Sequence, residues 1–157
     1  CLILWIWADS YRMNSDSPSR ERGRLSMKKF ENFQRALRNL EEIRKCKEPY
    51  EMIVLTGQVA LFEICFEQSW KAMKEILEYN GYDESRTGSP RSILKLAYPA
   101  GMIDNEELWV EALAARNNVS HAYNEGIAAK IVSETKAKYI DMFEALEEKV
   151  KSNWISV

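Results

Sequence analysis

From about Tyr50 to Tyr79 the apolar residues Leu55, Val59, Phe62, Phe66, Met73 and Ile76 recur at alternating four- and three-residue steps, with Ser69 interrupting the series. That period puts them on one face of a long helix, the seam through which a helix packs into a bundle. A strand would need a period of two, and no such pattern competes anywhere in the chain. The seam therefore predicts an all-α protein.

The flanking sequence extends this reading. Phe30, Phe33, Leu37, Leu40 and Ile43 form a second apolar stripe before Pro49, which closes that helix or opens the next. Residues 80–89, with Gly81 and Gly88, read as a loop. Ser89 and Pro90 then supply an N-cap and a first-turn proline for a short helix from Arg91 to about Tyr98. Pro99 and Gly101 end it. Asp104 with Glu107 resembles a capping box for a fourth helix carrying Leu108, Trp109, Ala112 and Leu113. That helix is expected to run into the segment 116–123. Asn124, Glu125 and Gly126 mark a bend, and a last long helix carries Ile127, Ile131, Ile140, Phe143, Leu146 and Val150. The expected architecture is an antiparallel helical bundle of four to five helices, one domain over residues 27–157.

Residues 1–26 do not fit that domain. Cys1–Trp7 is a short apolar burst, and the following stretch is Ser/Arg-rich without periodicity. The burst is too short to span a bilayer and lacks a basic start. Met27 begins a sequence typical of a native start, so residues 1–26 are expected to be an upstream or disordered segment outside the domain. Removing its four basic and three acidic residues shifts the net charge from −2 to −3.

Charge and composition narrow the function classes. A mildly acidic chain offers no bulk attraction for nucleic acid or anionic lipid, and no apolar run is long enough for a membrane span. Three cysteines, Cys1, Cys46 and Cys65, follow no metal-ligand spacing and suit a reducing cytoplasm. One histidine leaves no His/Cys zinc set, and no Gly-rich phosphate loop occurs, so neither metal nor cofactor is expected.

The chemistry concentrates in Arg116, Asn117, His121 and Tyr123. His121 is the sole histidine of the chain and a proton carrier near neutral pH. Arg116 offers a planar fork of donors to phosphate oxygens. At about 100° per residue, Arg116 and Tyr123 share a face of an unbroken helix while His121 points roughly 140° away from Arg116. Either the helix distorts here or a second copy of the chain completes the site. The plainer reading is an arginine and a histidine capping carbonyls near a helix end. On the long helix, Glu63, Glu67, Lys71 and Lys74 form a charged strip beside Trp70. Glu67 and Lys71 are expected to be a solvated i,i+4 pair, as is a solvated position for Lys74. Trp70 with Lys71 has a second reading, a stacking surface with a cation beside it that suits a nucleotide.

Taken in order, Ser89-Pro90-Arg91, Ala100-Gly101-Met102-Ile103-Asp104, Leu108-Trp109 and Arg116-Asn117-x3-His121-x-Tyr123 resemble the nucleotidyltransferase substrate-binding proteins of the HEPN superfamily. Phe62-Glu63, Trp70-Lys71 and Gly81 also stand where that family has them. The resemblance covers Met27 to about Lys151. It implies a dimeric helical bundle that brings two Arg-x4-His motifs together, and a minimal nucleotidyltransferase encoded nearby as partner. In the toxin branch of the superfamily the Arg/His pair cleaves RNA without metal, and the partner adenylylates a tyrosine two residues after the histidine. Arg116, His121 and Tyr123 match those positions, with Asn117, Glu63, Trp70, Lys71 and Arg91 as binding candidates. Proteins most like this chain carry the substrate-binding name, a different branch.

Three functions follow. One is a homodimeric subunit that binds the nucleotidyltransferase in a toxin–antitoxin-like pair and presents Tyr123 or a bound nucleotide to it. Another is a metal-independent endoribonuclease using Arg116 and His121, silenced by the partner. The third is a nucleotide-binding helical dimer without catalysis. The first is compatible with the second and requires the least chemistry.

Overall fold

A computed structural model describes residues 25–155. The segment 1–26 therefore lies almost wholly outside the described residues. Five helices account for the fold among them. They are α1 (Leu25–Glu41), α2 (Met52–Tyr79), α3 (Pro90–Ala97), α4 (Glu106–Asn117) and α5 (125–153). The last is a continuous run of Glu125–Glu134, a π-helical turn Thr135–Tyr139, and Ile140–Asn153.

The expected seam holds throughout α2. Leu55, Val59, Phe62, Phe66, Met73 and Ile76 are all buried. Ser69 is buried among them because its hydroxyl donates to the Phe66 carbonyl at 2.6 Å, which satisfies the polar group within its own helix. The stripe Phe30, Phe33, Leu37, Leu40 and Ile43 is likewise buried, its last residue in a 3-10 turn, Glu42–Lys45. The centre of the molecule is aromatic. Phe62 stacks on Tyr139 at 5.4 Å, and Trp109 meets Phe143 edge-on at 5.5 Å. Each such pair contributes about 0.5–1.5 kcal/mol beyond its buried area.

Helix α1 and the 3-10 turn after it run antiparallel to α5. Arg38 pairs with Glu147, and Arg44 pairs with Asp141 and Glu144, so rising numbers on α1 meet falling numbers on α5. Two glycines close helices by the same device. Gly81 and Gly101 hold positive φ of 90° and 81°. Beyond each, the next N–H reaches back across the helix end, Tyr82 to Leu77 and Met102 to Ala97, both at 3.0 Å.

Three expectations need correction. The loop 80–89 contains a 3-10 turn, Asp83–Thr87. The N-cap of α4 is Asn105, whose side chain accepts from the Leu108 N–H at 3.1 Å, whereas Asp104 pairs with Lys149. Finally, α4 does not continue through residue 123. It stops at Asn117, and a 3-10 turn, Val119–His121, follows. Two successive asparagines of weak helix propensity sit at that stop. Asn124 then caps α5 by accepting from the N–H groups of Gly126 and Ile127 at 2.9 and 3.3 Å.

Candidate functional site

The end of α4 and the turn after it carry the motif. Arg116 lies in the last turn of α4 and reaches sideways to α2, where its guanidinium donates to Glu67 Oε1. Its other terminal nitrogen donates to Asn117 Oδ1 at 3.2 Å. The second oxygen of Glu67 accepts from the Trp70 indole N–H. One carboxylate thus ties Arg116 and Trp70 together. This corrects the expectation that Glu67 lies on a solvated face. With side-chain exposures of 26% for Arg116 and 17% for Glu67, the pair is far less screened than a surface ion pair.

Glu63 stands one turn before Glu67. Burial pushes its carboxyl above the ordinary range, the nearby Arg116 pulls it down, and Glu67 adds to the rise. The structure therefore brings Arg116, Asn117, Glu63, Glu67 and Trp70 into one cluster. Lys71 follows Trp70 on α2 and lines a groove with it. Arg91 lies apart, exposed in the first turn of α3.

His121 and Tyr123 sit on the far side of the helix break. Both are exposed, with ring centroids 6.4 Å apart in an edge-on arrangement. Tyr123 is 81% exposed, so it is not a packing residue. The break also removes the geometric argument that Tyr123 shares the face of Arg116 on one continuous helix. The helix does distort here, as the first of the two expected alternatives has it. No hydrogen bond joins Arg116 to His121 within the chain, since Arg116 faces Glu67.

A second polar site lies between α4 and α5. A cavity of about 410 Å³ is lined by Glu111, Asn118, Lys130, Glu134 and Tyr139 among others. The Tyr139 hydroxyl lies 3.1 Å from Glu111 and 3.2 Å from Glu134, donating to one carboxylate at a time. Burial raises its phenol far above the usual value, so it remains a donor. The hydrogen bond from Lys138 holds the Glu111 carboxyl below its usual range. Nothing in the local sequence marks this group, because its members come from two helices and a π-helical turn.

A five-helix bundle with an Arg-x4-His-x-Tyr motif split across a helix end, and an acidic clamp on the arginine, defines the class. The family described as nucleotidyltransferase substrate binding protein like matches residues 28–152. The chain belongs to that family. No curated protein matches the chain. No helix among the described residues is long and apolar enough to cross a membrane.

Proposed function

We propose that this protein is a homodimeric subunit that docks a minimal nucleotidyltransferase and presents Tyr123 to it as an acceptor of AMP. The exposure of Tyr123, on a turn beside His121 rather than in the core, carries this reading. The partner supplies metal and catalytic carboxylates. The phenol oxygen of Tyr123 attacks the α-phosphorus of ATP, the α–β phosphoanhydride breaks, and pyrophosphate leaves. The phenol proton passes to a carboxylate of the partner. The phosphodiester so formed adds negative charge and bulk next to His121.

Dimerisation is supported by the first half of α2. Met52, Ile53 and Val54 are exposed there, Ile53 by 85%. Ile53, Gly57, Ala60 and Ile64 follow one another at steps of four, three and four, and Glu67 stands three residues further on. An apolar and small-residue stripe thus leads along one face to the clamp on Arg116. A second copy packed on that stripe places two motifs near each other about a twofold axis. Co-purification with the nucleotidyltransferase encoded nearby tests the docking. The account expects a complex containing two copies of this chain, and Ile53→Asp should release single chains. Failure of the two proteins to associate would overturn it.

The endoribonuclease reading gains from the exposure of His121, which leaves its ring open to an RNA 2′-hydroxyl. It requires Arg116 to leave Glu67 for a phosphate. If that occurs, cleavage proceeds in EDTA, leaves a 2′,3′-cyclic phosphate, and is lost in His121→Ala and Arg116→Ala. Activity that persists in His121→Ala would exclude this mechanism.

A further inference from the structure

Asn118 and Ile127, on either side of the turn that carries His121 and Tyr123, line the cavity of about 410 Å³ between α4 and α5. Its acidic part is Glu111 of α4 and Glu134 of α5. One oxygen of each lies 3.1 and 3.2 Å, respectively, from the hydroxyl of Tyr139, a residue buried in the core. That hydroxyl carries a single proton, so it serves one carboxylate at a time. Glu111 has a cation of its own in Lys138. Among the described residues, Glu134 has no cation within ion-pair distance and only the phenol as hydrogen-bond donor. Lys130 also lines the cavity, exposed and paired with neither carboxylate. Ala114, Ala115, Ile127 and Ile131 supply an apolar wall.

We propose that this cavity is a binding site for a guanidinium group on an aliphatic stem. Two carboxylates on facing helices, sharing one hydroxyl, suit a planar cation whose donors fan out in several directions, whereas an ammonium is a single point of charge. With Lys138 held by Glu111, the carboxylate of Glu134 is left to meet one monovalent cation. The stem lies against the apolar wall, which has nothing to offer a polar group. The volume falls among small-molecule sites of about 300–1,000 Å³ and suits a single such ligand. The π-helical turn Thr135–Tyr139 shapes the acidic end, because Tyr139 is its last residue. Lys130 is the internal competitor, four residues before Glu134 on the same helix. Free arginine and an arginine side chain of another protein share this chemistry. Either one ties α4 to α5 on both sides of the turn that displays Tyr123. The inference stands apart from the AMP-acceptor reading.

Calorimetric titration of the full chain in low salt, with L-arginine and with N-acetylarginine amide, tests the proposal. At least one of them should bind at one site per chain with a dissociation constant below about 1 mM. Arginine binding at least about tenfold tighter than the amide assigns the site to the free amino acid, whose carboxylate then meets Lys130. Affinities within that factor assign it to a protein side chain, which the amide mimics. L-citrulline, the neutral isostere, should bind at least about tenfold more weakly than arginine. Glu134→Gln should weaken binding at least about tenfold, and Lys130→Ala should strengthen binding of the amide about threefold. Circular dichroism melting curves check that each variant is folded. No binding of either compound at about 10 mM would overturn the proposal. So would binding unchanged in a folded Glu134→Gln, or binding that citrulline matches. Such a failure leaves partner docking and AMP transfer to Tyr123 untouched, since neither was argued from this cavity.

Discussion

Glu67 holds two donors from different parts of the chain, and both contacts sit where water reaches only part of the surface. Removing it leaves the Arg116 guanidinium without its carboxylate partner. Glu67→Ala should therefore cost about 1–3 kcal/mol in denaturant unfolding. The loss in the Glu67→Ala/Arg116→Ala double variant should fall short of the summed single losses by about 1 kcal/mol or more. Strictly additive losses would show that the clamp carries no energy. Glu63 gives a pH signature of known sign. Its carboxyl is raised in the fold, so its contribution favours folding at low pH and is lost as pH rises through the folded value. Glu63→Gln should accordingly be more stable than wild type near neutral pH, and the difference should vanish in acid. Equal melting temperatures at both pH values would contradict the burial of that group. The sequence shows why Glu67 is misread at first sight. Lys71 lies four residues away and is visible to any helical-wheel argument, while Arg116 is 49 residues distant and reachable only through the packing of α4 on α2.

The helix ends decide where the motif points. Asn124 caps α5 and fixes the turn that displays His121 and Tyr123. Asn124→Ala should cost about 1 kcal/mol, read as a lower unfolding midpoint, and should loosen that turn. An unchanged midpoint would mean that the cap contributes nothing. At this scale the sequence is informative where a signal is strong and local. The four-three periodicity of α2 and the Ser89-Pro90 start of α3 can be read directly. The break after Asn117 cannot, because a pair of asparagines is only weakly unfavourable in a helix and packing decides the outcome. Asn105 rather than Asp104 caps α4 for a similar reason, as both residue types serve equally well at that position. The π-helical turn Thr135–Tyr139 leaves no local mark either. It is stabilised by burial of Tyr139 against Phe62.

At the scale of the whole molecule the bundle is held by one aromatic centre. Phe143 touches Phe33, Phe62 and Trp109 and so joins α1, α2, α4 and α5. Phe143→Ala should cost about 3–5 kcal/mol, measurable as a shift in the denaturant midpoint, and a loss under about 1 kcal/mol would refute that role. The assembly proposed around this core is a dimer, and sedimentation at micromolar concentration should find two chains. In the proposed function, what joins fold to function is the exposed Tyr123, on a turn after α4. The most direct test of that proposal is the intact mass of the chain after co-expression with the nucleotidyltransferase proposed as its partner. The account predicts a gain of one AMP unit that disappears in Tyr123→Phe. An unmodified chain recovered in complex with a catalytically active partner would contradict it.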